Sequence, residues 1–258
     1  SFDRCIAITP QFAPSYYLKG RALYSLGLNQ DSVYAFDRAL ESDPRCIKAA
    51  ISRSAVLHDL GNNEESLASS EKAIAINPDS AESWYRKGVA LADLDRASDA
   101  VDAFDKSVAL DPSAAQTQYD KGLALIKLAR YLEAINAFDR VLEIIPSFSP
   151  AFFNKGIALA ELGMHEEAIM SFNIALEITP QDAATHYQKG LSLVRLENFE
   201  EAIVSFDEAF RLNPRNADPL YQKGLSLAAL GNQEGAEEAF NAALEIDPGN
   251  KDAQYHKG

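Results

Sequence analysis

Residues 149–182 read SPAFFNKGIALAELGMHEEAIMSFNIALEITPQD, two stretches of helical period separated by Gly163. Within each stretch apolar side chains recur three and four positions apart, which places them on one face of an α-helix. The spacing predicts a first helix over 150–162, a turn at 163–165 and a second helix over 166–178. Glu166 and Glu167 suit the positive end of the second helix's dipole. Pro180 ends that helix, because proline disfavours helical backbone at the residue before it.

Pro180 belongs to a series. Prolines stand at 10, 44, 78, 112, 146, 180, 214 and 248, each 34 residues after the last, so internal repetition organises the chain. With proline as position 32, complete units run over 13–46, 47–80, 81–114, 115–148, 149–182, 183–216 and 217–250. Residues 1–12 read as the second-helix tail of a preceding unit, and 251–258 as the start of a further one. Position 8 is glycine in every unit except 47–80, where it is Ser54, and a missing side chain there lets the paired helix approach closely. Position 20 is Ala, or Ser32 and Ser66 in the first two units, and belongs to the same tight contact. Leucine at position 11 and phenylalanine at position 24 supply the bulk. The divergent unit 47–80 has Ile51, Ser54 and Ser70 where the others carry an aromatic, Gly and Phe, and is expected to pack least well.

A 34-residue helix–turn–helix unit with Gly at 8, Ala at 20, Phe at 24 and Pro at 32 resembles the tetratricopeptide repeat, over the whole chain. The chain departs from that family's pattern at position 4, where Trp84 has only varied counterparts, at position 7, which is Lys or Arg, and at position 11, which is Leu rather than Tyr. The resemblance implies an all-α, right-handed superhelical α-solenoid of stacked antiparallel helix pairs. It also implies that the first helix of each pair lines the concave face through positions 2, 5, 6, 9, 12 and 13, and that the protein is an interaction scaffold. Family members that grip a carboxylate terminus use Lys and Asn in that groove, and position 5 offers neither here.

Position 5 carries Tyr17, Tyr85, Tyr119, Phe153, Tyr187 and Tyr221. From the third unit onward, positions 9 and 12 are aliphatic, with Val89, Leu123, Ile126, Ile157, Leu191, Val194 and Leu225. A contiguous apolar stripe that the stack does not need marks a binding surface, and the expected guest is an apolar or amphipathic peptide segment, a helix foremost. Packing on neighbouring helices is an equally open role for the tyrosines. Asp59, Asp93, Lys127, Glu161 and Arg195 at position 13 form the expected rim that selects register. The recurring cation at position 7 faces two readings, an anion track or an ion-pair ladder with the acidic residues of position 25, and the ladder is the expected one.

The net charge of -14 argues against a nucleic-acid partner, which needs clustered Lys and Arg. Residues 131–258 carry a net of -11 against -3 for 1–130, so the second half is expected to steer a basic partner. Cys5 and Cys46 read as free thiols between helices, pointing to a reducing, cytoplasmic setting. No run of about 18 apolar residues suggests a membrane span. The four histidines fall at different phases of the repeat, so no metal site is expected. No cofactor loop or nucleophile elbow appears, and the reading is a non-catalytic scaffold. Two other classes stay open: the substrate-recruiting arm of a larger enzyme such as a glycosyltransferase, and self-association through terminal half-repeats. Because the bounds cut across units, the chain is expected to be a fragment or to meet another copy at its ends.

Overall fold

The computed structural model describes residues 11–257, so the predicted ion-pair partner Asp3, the thiol of Cys5 and Gly258 lie outside the described residues. Every element among the described residues is an α-helix. The first helices of successive pairs are α1 (Ala13–Ser25), α3 (Ile47–Asp59), α5 (Ala81–Asp93), α7 (Ala115–Lys127), α9 (Ser149–Glu161), α11 (Ala183–Arg195) and α13 (Asp218–Ala229). The second helices are α2 (Asn29–Ser42), α4 (Asn63–Ile76), α6 (Ala97–Leu110), α8 (Tyr131–Ile144), α10 (His165–Ile178), α12 (Phe199–Leu212) and α14 (Gln233–Ile246); α15 (Lys251–Lys257) follows. The chain divides into two compact bodies, 1–129 and 130–258, so that α1–α7 lie in one and α8–α15 in the other. Among the described residues no helix is long and apolar enough to cross a membrane.

The turns explain why the helices stop where they do. Position 15 takes left-handed backbone in all seven repeats: Gly27, Gly61, Gly163 and Gly231 at φ of 75–78°, but also Asp95, Ala129 and Glu197 at 55–62°. A Cβ in that region crowds the carbonyl, so the three non-glycine turns hold mild strain that the flanking helices impose. At the other end, position 31 is extended because proline follows, as at Asp43 (φ -141°) and Asp111 (φ -136°). Their carboxylates then accept from the backbone N–H two residues on, Asp43 from Arg45 and Asp111 from Ser113, each at 3.0 Å, closing the turn as Asx residues do. The first helix of 149–182 begins one residue earlier than the expected 150, at Ser149. Pro150 sits in its first turn, where the missing N–H has no helical partner to lose.

The core repeats with the sequence. Phe36, Phe104, Phe172, Phe206 and Phe240 are buried to 2% exposure or less. Each ring fills the space over the glycine of its own repeat: a Cβ built on Gly20, Gly88, Gly156, Gly190 or Gly224 would stand 2.5–2.6 Å from it. Glycine at position 8 and phenylalanine at position 24 are thus one steric unit.

In the repeat over 47–80 both members change together. Ser54 and Ser70 are fully buried, and no ring crowds the serine. Ser54 donates to the Ser66 carbonyl (3.0 Å) and Ser66 to the Ser54 carbonyl (2.8 Å), while Ser70 donates to the Leu67 carbonyl of its own helix (2.7 Å). Val56 and Leu57 supply the buried apolar mass, and the half-buried thiol of Cys46 packs on the adjoining cluster. This repeat thus has no ring at position 24 and adds a reciprocal hydroxyl pair between positions 8 and 20.

Among the described residues, five of the position-7 cations form the ladder, while Lys189 faces Asn173 in the pattern and makes no ion pair. Arg53 meets Asp37 at 2.7 Å, Lys87 meets Glu71 at 2.9 Å, Lys155 meets Asp139 at 2.6 Å and Lys223 meets Asp207 at 2.7 Å, with Lys121 and Asp105 paired likewise. Each bridge ties a first helix to the second helix of the preceding repeat. The anion-track reading has these ammonium groups free, and here carboxylates hold them.

Candidate functional site

First helices of successive repeats touch within each body, α1 with α3, α3 with α5, α5 with α7, α9 with α11 and α11 with α13. Within each body they make a surface to which positions 2, 5, 6, 9, 12 and 13 contribute side chains.

The aromatic row is tied to the core. Tyr17, Tyr85, Phe153, Tyr187 and Tyr221 lie 5.9–6.2 Å, centroid to centroid, from the phenylalanine of their own repeat, tilted by 40–53°. Tilted rings at this separation attract, so these side chains hold the helix pair together while one edge faces out. Tyr119 is half-buried like them. The hydroxyls add links between repeats. Tyr85 donates to Asp120 at 3.0 Å, and burial together with that carboxylate pushes its phenol well above the ordinary value. Burial first, then the charge of Asp218, raises Tyr187; burial and Asp252 do the same to Tyr221. Tyr24 donates to Asp59, and that hydrogen bond raises the Tyr24 phenol.

The aliphatic row lines two cavities, one in each body. In the first, Val89, Ala92 and Leu123 wall a space of about 410 Å³ floored by Tyr85 and Phe104 and bordered by His58, Asp93, Gln116, Asp120 and Lys127. In the second, Ala160, Leu191, Val194 and Leu225 wall about 540 Å³, with Glu161, Arg195, Gln188 and Gln222 at its margin. Leu123 is 38% exposed; Val89, Leu191, Val194 and Leu225 are half-buried. Ile126 and Ile157 are half-buried outside both linings, and Ile157 packs beside Leu159 and Phe172. A third cavity, about 490 Å³, opens between α2 and α4 over Arg53. That guanidinium already bonds Asp37, Ser69 and Glu65, and Lys72 also lines the cavity.

Most of the expected rim residues are engaged. Asp59 accepts from Tyr24, Lys127 pairs with Asp95, and Tyr131 donates to Glu161 at 3.5 Å. His58 Nδ1 stands 2.7 Å from Asp93 Oδ2, without the alignment of a hydrogen bond, so it is a contact of charges when the ring is protonated. Arg195 borders the second cavity. Sequence reading missed His58, Asp120, Gln188 and Gln222. Position 6 was among those expected to face the groove, but its polar residues vary from repeat to repeat and made no row. Asp120 accepts from Tyr85 and, at 3.0 and 3.1 Å, from Gln116. Burial raises its pKa, those hydrogen bonds and His58 oppose the rise, and the charge of Asp93 adds to it.

A family model described as tetratricopeptide repeat matches residues 56–115, 119–183 and 187–251, and a second model of the same description matches 13–46. Among solved structures, the chain is similar to YrrB, a TPR protein with an unusual peptide-binding site: 26% identity, TM-score 0.64, covering 73% of this chain and 97% of that one. It is similar to MamA at 25% identity and TM-score 0.62, covering 68% and 96%. A tetratricopeptide repeat protein from Parabacteroides merdae superposes with TM-score 0.68 over 96% and 98% at 16% identity, a likeness of fold alone. No curated protein matches.

Proposed function

The chain belongs to the tetratricopeptide repeat family, and on that premise we propose that it is a non-catalytic scaffold holding an apolar or amphipathic protein segment, a helix foremost, along the face of its first helices. One observation carries this reading: Val89, Leu123, Leu191, Val194 and Leu225 line open cavities, while the cores of their repeats close around the buried leucines and phenylalanines. Side chains left half-exposed by the core gain on the order of 1 kcal/mol each when a guest removes them from water. Several together, less the cost of ordering the guest, give binding strong enough to select a partner. YrrB's peptide-binding site supports the same direction.

The test replaces Leu123, Ile126, Ile157 and Leu191 together by Asn and compares proteins retained from a cell lysate. A control variant carries Met170→Gln and Val204→Gln, at exposed positions of second helices. Loss of the retained protein in the first variant alone, with its helical spectrum intact, supports the reading; equal retention by all three proteins removes it.

A further inference from the structure

The two cavities differ in charge, and the difference names part of the guest. In the second, Glu161 and Arg195 carry opposite charges, Gln188 and Gln222 are neutral, and His165 adds an imidazole. In the first, Asp93 and Asp120 project from α5 and α7 toward one apolar-walled space. The cation at its edge, Lys127, is held by Asp95 on the turn before α6. The first cavity therefore presents two carboxylates beside an aliphatic wall, with His58 against Asp93 and its one lysine already paired outside.

We propose that the cavity walled by Val89, Ala92 and Leu123 receives a lysine or arginine side chain of the bound segment. The proposal rests on the scaffold reading above and adds the chemistry of one contact. Long basic side chains lay their methylenes along apolar surface and keep the charged head among polar groups. Here the wall takes the stem, while Asp93, 39% exposed in its side chain, takes the head. Asp120 lies deeper, its carboxylate oriented by Tyr85 and Gln116. A neutral guest would desolvate these carboxylates without adding an opposite charge, which disfavours it. An acidic guest would meet like charge. The net charge of the two halves points the other way, toward 131–258. However, Glu166, Glu200, Glu201 and Glu234 of that half are exposed on second helices, away from the face in question.

A series of amphipathic helical peptides tests this, identical except for one position in the apolar face that carries Arg, Lys, Gln, Met or Glu. Binding to the full chain is read by fluorescence anisotropy. The Arg and Lys peptides are expected to bind at least about fivefold more tightly than the Gln and Met peptides, as for a charge pair at a protein interface. That advantage disappears in Asp93→Asn/Asp120→Asn and persists in Glu161→Gln. Equal binding of the Arg and Gln peptides, tightest binding of the Met or Glu peptide, or an advantage that survives the double variant overturns the proposal while leaving the scaffold reading in place. Failure of every peptide to bind overturns both. Should the double variant lose its helical spectrum, Asp93→Asn alone decides, since it leaves the Tyr85–Asp120 hydrogen bond intact.

Discussion

In the repeat over 149–182 the ring of Phe172 lies over Gly156, where a Cβ would come within 2.5 Å of it. In the repeat over 47–80 both positions are serine: Ser70 donates to the Leu67 carbonyl of its own helix, and Ser54 exchanges hydroxyl bonds with Ser66 of the paired helix. Both repeats keep a left-handed glycine at position 15, Gly163 and Gly61, and both send their position-7 cation to a carboxylate. The helix pair is thus defined by its turn, its period and its ladder, while position 24 at its centre holds either a ring over glycine or a serine that bonds its own helix.

The largest effect should come from removing the ring. Phe172→Ser is expected to lower stability by about 3–5 kcal/mol, the range for emptying a buried aromatic site, as read by chemical denaturation. Gly156→Ser, which forces a side chain against the ring, should lower it by about 1–3 kcal/mol. Combined, the two should cost less than their sum by about 1 kcal/mol or more, since contacting residues couple; strict additivity would mean that Gly156 and Phe172 are not one unit. In 47–80 the corresponding break is smaller: Ser54→Ala with Ser66→Ala should lower stability by roughly 1–2 kcal/mol, two net hydrogen bonds.

Hydrogen exchange sharpens the comparison without mutation. Amides of α3 and α4 are expected to exchange about tenfold faster than those of α9 and α10, a difference of roughly 1.4 kcal/mol, because hydroxyl bonds replace a buried ring. Equal protection would show the two centres to be equivalent. The smallest effects lie at the turns, where the repeats should not differ. Gly61→Ala and Gly163→Ala should each cost about 1 kcal/mol, and Glu197→Gly should gain a similar amount by relieving left-handed strain.

The helix pairs were legible because proline, glycine and phenylalanine recur at fixed phase in nearly every unit, and a period survives occasional exceptions. Ser54 and Ser70 were legible only as departures: the reciprocal bonds of Ser54 with Ser66 show once the two helices pack. The left-handed residue at position 15 stayed hidden because Asp95, Ala129 and Glu197 give no conformational signal that glycine would. On the first-helix face, the aliphatic positions stood out as rows. The double duty of the tyrosines, ring against phenylalanine and hydroxyl toward the next repeat, needs spatial neighbours to be seen. So does Asp120, whose environment is built from Tyr85 and Gln116 on two different helices.

Methyl NMR of the full chain, titrated with the Arg-bearing amphipathic peptide, tests the central claim most directly. The account predicts shift changes at Val89, Leu123, Leu191, Val194 and Leu225 on first helices, with Met170 and Val204 unmoved. Changes confined to Met170 and Val204 would place the guest on the second helices and contradict it.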